Sequence, residues 1–223
     1  MGLARGQRPH PRAIIFDLDR CLIDSRNSWQ FCVEESLSVV LDRRLSAKAL
    51  VEEYHTRPWR GAMGILVESA EEAVRCAQLC DTMYARSAMK KLLVHEGISM
   101  ALDHLRGEQI ELGAISRLPH GIAVKQVQST GLDRFIAVLS ATQPDAPWQP
   151  GARAAECLAF LEASAGNSAF MSGDSHDRAR LAADGLAVFD AGWAPGDAHG
   201  EGAITAPSGM LEVVLRAWTR HVT

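Results

Sequence analysis

The amino-acid sequence predicts an α/β fold: a parallel, Rossmann-like sheet core carrying an inserted, all-helical cap. Three observations carry this expectation. Short apolar runs alternate with stretches of helical period, as in successive βαβ units. The first run, Ala13-Ile14-Ile15, ends in two acids, Asp17 and Asp19. The next strand-like run ends at Ser116, 99 residues after Asp17, where a plain βαβ unit needs only about 30. The excess of roughly 70 residues is helical by pattern.

The elements follow in order. Residues 13–17 are short, β-branched and bounded by polar groups, which predicts a buried strand. From about Asn27, Trp29, Val33, Leu37, Val40 and Leu41 recur at helical spacing. Lys48 to Tyr54 predicts a second helix with Ser46 as its cap. RPWRGAMG, residues 57–64, reads as a loop. Ser69 to Glu72 has capping-box spacing and opens a long helix with Ala73, Cys76, Ala77, Cys80, Met83 and Tyr84 on one face. A helix over Ile98–Leu105 leads into the strand IELGAIS, which ends at Ser116. A helix over Ile122–Gln128, the apolar run FIAVLS and a helix over Ala152–Glu162 come next. The strand SAFMSGD, a helix over Arg178–Ala183, the strand LAVFD and a helix from Ser208 to Trp218 complete the chain. The expected division is a flexible tail at 1–12, a core domain at 13–25 and 93–223, and a helical cap domain at 26–92.

Composition limits the partners. Of 223 residues, 47% are apolar and 22% charged, which is ordinary for a soluble globular protein. A net charge of −4 gives no basic footprint for nucleic acid. No run of about 18 apolar residues is present to span a membrane. The basic segment MGLARGQRPHPR has no apolar stretch of a secretory signal. Five cysteines at irregular spacings read as free thiols in a reducing compartment, so a cytoplasmic location is expected. Cys76 and Cys80 lie one helical turn apart, but no second pair matches them, and core packing is the expectation.

The chemistry gathers at strand ends. In open parallel sheets, ligands bind beyond the carboxyl ends of the strands. Three predicted strands end there in polar groups: Asp17 with Asp19, then Ser116, then Gly173-Asp174 with Asp177. Four carboxylates meeting at one place would call for a divalent cation. Oxygen-only donors favour Mg²⁺, which takes few protein carboxylates and completes its octahedron with water and substrate phosphate.

Taken together, DLDRCLIDS, AIS, QPGARAAECLAFL and GDSHD resemble, in order and spacing, the four motifs of the haloacid dehalogenase (HAD) superfamily. The helical insertion is similar to that of members with a C1-type cap, such as phosphoglycolate phosphatase-like enzymes. The resemblance implies a Mg²⁺-dependent hydrolase of a small phosphomonoester, working through an aspartyl-phosphate. It implies catalytic roles for Asp17 as nucleophile, Asp19 as general acid and base, and Ser116 as a phosphoryl ligand. It implies a metal set of Asp17, Asp19 through its backbone carbonyl, Asp174 and Asp177, and substrate contacts from Arg117, Arg153 and the cap residues Arg57 and Arg60. Dehalogenases lack the second acid, so Asp19 favours phosphoryl transfer. The alternatives are a HAD-fold ligand- or partner-binding protein without turnover, or another chemistry of the superfamily such as phosphonate cleavage or a mutase.

Four positions depart from the family pattern. Arg20 and Cys21 stand where Gly or Asp, then Thr, are usual. Arg178 occupies the expected place of an acid, with Asp177 one residue early. Arg117 follows Ser116 where Asn is common. Gln149 replaces a Lys that neutralises the nucleophile and the incoming phosphate. One charge at about 4 Å is worth some 4 kcal/mol at an effective dielectric near 20, and even about 3 kcal/mol is a hundredfold in rate. Only four Lys are present against nineteen Arg, so Arg117 and Arg153 are the best-placed substitutes. His176 is expected to be an ordinary loop residue, because Mg²⁺ prefers oxygen.

Overall fold

A computed structural model describes residues 10–52, 59–143, 146–195 and 199–221. Five strands form one parallel sheet: β1 (Ala13–Asp17), β4 (Glu111–Pro119), β5 (Val138–Thr142), β6 (Ser168–Ser172) and β7 (Ala187–Asp190), in the order β5-β4-β1-β6-β7. β1 lies at the centre and pairs with β4 from Ala13↔Glu111 to Asp17↔Ile115, and with β6 from Ala13↔Ser168 to Phe16↔Met171. Because side chains alternate along a strand, β1 serves two apolar layers. Ala13 and Ile15 pack with Ile115, Phe170 and the buried sides of α7 (Pro150–Phe160) and α8 (Ser175–Ala183). Ile14 and Phe16 face the layer of α5 (Ile98–Gly107), α6 (His120–Ser129) and α9 (Met210–His221). The result is an α/β/α sandwich.

Between β1 and β4 come α1 (Arg26–Leu41), α2 (Lys48–Glu52), α3 (Trp59–Leu66) and α4 (Ala70–Arg86). A two-stranded antiparallel ribbon of β2 (Ile23–Asp24) and β3 (Leu93–Val94) brackets this helical segment. Its core of Trp29, Leu37, Met63, Cys76, Cys80 and Tyr84 is continuous with the Ile14/Phe16 layer. Trp29 of α1 stacks on Tyr84 of α4, ring centroids 3.9 Å apart. The Ser69 hydroxyl accepts from Glu72 N at 3.4 Å, as its spacing predicts. Ser46 Oγ accepts from Lys48 N at 3.4 Å, although Tyr54, the expected end of α2, lies outside the described residues.

Some local expectations need correction. The presumed loop 57–64 is helical from Trp59. Burial of Met63 and Val67 outweighs the roughly 1 kcal/mol that each glycine costs in a helix. β4 does not stop at Ser116 but continues to Pro119, with a shift of register between Ser116 and Pro119 that lets Pro119 pair with Thr142. α7 begins at Pro150, where the missing N–H of proline costs nothing in a first turn, and α8 begins at Ser175 because Asp174 caps it. Among the described residues no helix is long and apolar enough to cross a membrane.

Candidate functional site

β1 ends in a five-residue π-type turn, Leu18–Leu22, which folds back over the strand's carboxyl end. Asp17 is fully buried and caps this turn. Its Oδ1 accepts from the backbone N–H groups of Asp19 and Arg20, both at 3.1 Å, and its Oδ2 from the Ser172 hydroxyl at 2.9 Å. Burial pushes the Asp17 carboxyl above its ordinary range, against the opposing pull of Arg117 and Arg20. Asp19 is buried beside it. Its Oδ2 accepts from Ser116 Oγ at 2.8 Å and its Oδ1 from Gln126 Nε2 at 3.2 Å. Burial, and then the Asp17 charge, raise Asp19 to about 6.

β6 delivers the third part. Gly173 N–H donates to the Arg20 carbonyl at 2.8 Å, tying the turn after β1 to the end of β6. A Cβ at residue 173 would lie 3.1 Å from that carbonyl oxygen and 3.3 Å from Ala194 Cβ, so glycine is what permits the approach. Asp174 Oδ1 accepts from Asp177 N at 2.8 Å and starts α8. Asp174 Oδ2 accepts from Arg20 Nη1 and from Arg117 Nη2, the latter at 2.9 Å. Arg117 Nη2 also reaches Asp177 Oδ2 at 2.5 Å, while Trp148 Nε1 lies 3.1 Å from both Asp177 oxygens. The Arg117 guanidinium lies over the Trp148 ring, 4.9 Å from its centroid. Burial raises Asp177 to about 6 despite Arg117.

The structure therefore brings together Asp17, Asp19, Ser116, Arg117, Asp174 and Asp177 from three strand ends. Other expected residues do not join them. Arg153 turns to Glu156 at 2.9 Å and the Ala141 carbonyl at 3.3 Å. Arg57 lies outside the described residues, and Arg60 is placed only as part of the α3 backbone. Arg178 points away, to the Ser172 carbonyl at 2.7 Å and Asp190 at 3.0 Å. Gln149 is exposed. Gln149 and the exposed His176 both line an open cavity of about 450 Å³ beside Trp148. Of the two arginines expected to make up for the absent Lys, the site holds Arg117.

The residues expected to hold magnesium, Asp17, Asp19 through its backbone carbonyl, Asp174 and Asp177, come together at the ends of β1 and β6. Asp174 and Asp177 are paired with the guanidinium groups of Arg20 and Arg117, whereas Asp17 accepts from two backbone amides and the Ser172 hydroxyl. Among the described residues no three His, Cys, Asp or Glu side chains converge to hold a metal ion. The donor set as arranged does not fit Mg²⁺, since bringing a divalent ion beside two guanidinium groups would set like charges together.

Sequence reasoning missed four members of this site. Arg20 registered only as a departure, although its place directly after the second acid puts it in the turn. Ser172 stands two residues before Asp174 on the same strand. Gln126 betrays itself as a polar residue on the buried face of α6, in line with Ala123 and Val127. Trp148 carries no local signal, because only the tertiary fold lays it against Arg117.

A parallel sheet with acids at two strand ends, a serine and an arginine at a third, and a helical insertion after the first strand defines a class. The haloacid dehalogenase-like hydrolase family model matches residues 14–180, and the chain belongs to that family. Solved structures agree on the fold. A HAD-like family hydrolase from Streptococcus pneumoniae superposes with TM-score 0.77 at 14% identity, covering 92% of this chain and 99% of its own. A subfamily IA hydrolase from Geobacter sulfurreducens gives 0.76 at 15%, covering 95% and 100%. A predicted phosphoglycolate phosphatase from Haemophilus somnus gives 0.78 at 13%, covering 93% and 99%. At such identities the likeness shows the fold alone. No curated protein matches the chain.

Proposed function

We propose that this chain hydrolyses a small phosphomonoester through an aspartyl-phosphate on Asp17. The observation that carries the reading is the way Asp17 is held. Both amide donors fall on Oδ1, while Oδ2 has one donor, the Ser172 hydroxyl, so Oδ2 keeps a lone pair for attack at phosphorus. Asp19 sits in the adjacent turn with a pKa of about 6, suited to both halves of the reaction. In the first half it gives its proton to the departing alcohol oxygen as the Asp17–phosphorus bond forms. In the second, as a carboxylate, it takes a proton from water, which attacks the phosphorus and releases phosphate and Asp17. Arg117 is placed to meet the charge on the phosphoryl oxygens.

Asp17 and Ser116 are fully buried, so substrate entry calls for motion of the helical segment about the β2–β3 ribbon, with residues 26–92 acting as a cap. The partner class is a small phosphorylated metabolite rather than nucleic acid or membrane. The buried free cysteines support a reducing, cytoplasmic setting. Turnover of p-nitrophenyl phosphate by wild type, and its loss in Asp17→Asn, is the test. Undiminished turnover in Asp17→Asn would remove the nucleophile. A second reading, a binding protein of the same fold without turnover, is favoured by the exposed Gln149 at the usual Lys position. It gains ground if wild type binds phosphate but turns over no phosphomonoester.

A further inference from the structure

Arg20 and Arg117 both end on Asp174 Oδ2, and Arg117 extends to Asp177 Oδ2. Arg20 has little freedom to leave. Its N–H donates to Asp17 Oδ1 and its carbonyl accepts from Gly173, and its side chain is 9% exposed. A planar guanidinium fork matches a carboxylate and stays charged at any working pH. Two of them bring the formal charge of one divalent cation. Magnesium needs oxygens at about 2.0–2.1 Å in octahedral array, and here cationic guanidinium groups stand against Asp174 Oδ2 and Asp177 Oδ2. Arg117 Nε is buried with no hydrogen-bond partner among the described residues. It is a donor in want of an acceptor oxygen.

We propose that Arg20 and Arg117 stand in for the divalent cation in this chain, so that the site takes a phosphomonoester as a free anion rather than as a metal complex. The identity of the ligand rests on the phosphomonoester reading; the replacement of the cation by arginine does not. Both arginines replace neutral or acidic positions of the family pattern, one beside each of two strand ends, and the fold carries them to the same carboxylate oxygen.

The test is a titration of the full chain with Mn²⁺, reading free ion by electron paramagnetic resonance, beside calorimetry with inorganic phosphate. Wild type is expected to bind Mn²⁺ no tighter than about 1 mM, and phosphate equally well, within about twofold, in EDTA and in Mg²⁺. Arg20→Gly combined with Arg117→Asn is expected to gain at least about tenfold in Mn²⁺ affinity, with a thermal melt to verify folding. If the double variant does not fold, Arg117→Asn alone and the wild-type titration still decide. Stoichiometric Mn²⁺ binding by wild type well below about 1 mM, or phosphate affinity raised more than about tenfold by Mg²⁺, overturns the proposal. No phosphate binding in either buffer, with Mn²⁺ still excluded, sinks the phosphomonoester reading and leaves the arginine replacement standing.

Discussion

Gln126 holds Asp19 from behind: its Nε2 donates to Asp19 Oδ1 at 3.2 Å and to the Tyr84 hydroxyl oxygen at 2.8 Å. One amide thus joins the proposed acid on the turn after β1 to the stacked Trp29–Tyr84 pair of the helical segment. Because this bond stabilises the charged carboxylate, its removal raises Asp19 further above about 6. Gln126→Leu is expected to move the alkaline limb of the pH–rate profile upward by about half a unit to one unit. The measurement is kcat/KM against pH for wild type and variant. A purely structural role for Gln126 would lower the whole profile without displacing it.

Asp19 also sets a pH dependence of stability. Its folded pKa of about 6 exceeds the ordinary value of 3.8, so the folded chain binds the extra proton between these values. The stabilisation is complete below the unfolded pKa and is lost as pH rises through the folded one. Asp19→Asn is therefore expected to raise stability by up to about 3 kcal/mol near pH 8 and to have little effect below about pH 4. Asp177, also raised to about 6, acts in the same direction. Urea melts of both chains across this range measure the effect.

Gln149→Lys tests whether the missing lysine is a deficit. Arg117 already stands among the carboxylates, and residue 149 is exposed at the start of α7. Restoring Lys is expected to change kcat/KM by less than about threefold, whereas Arg117→Ala should lower it about a hundredfold. A large gain from Gln149→Lys would mean that Arg117 does not supply the charge.

Gly173 is the joint between the two acidic turns. A methyl group there meets the Arg20 carbonyl oxygen at 3.1 Å, and backbone cannot yield as a side chain does. Gly173→Ala is expected to cost about 1–3 kcal/mol of stability and to reduce turnover with it, as thermal melts and p-nitrophenyl phosphate kinetics would show.

Much of the architecture was legible in one dimension. Ala13-Ile14-Ile15 announces a strand because short apolar runs have few other ways to be buried, and Ser69 to Glu72 announces a helix start because capping is local. The order of acids at 17, 19 and 174, with Ser116 between, marks the strand ends for the same reason. What the linear order does not hold is which side chain meets which across the sheet. Arg20 and Arg117 are 97 residues apart in the chain yet share one oxygen of Asp174, and Arg153, equally eligible by sequence, turns to Glu156 instead. Local pattern decided that carboxylates would gather at the carboxyl edge of a parallel sheet. Only the packing of β1, β4 and β6 side by side decided that arginine would answer their charge, because ion pairing depends on distance in space and distance along the chain says little about it.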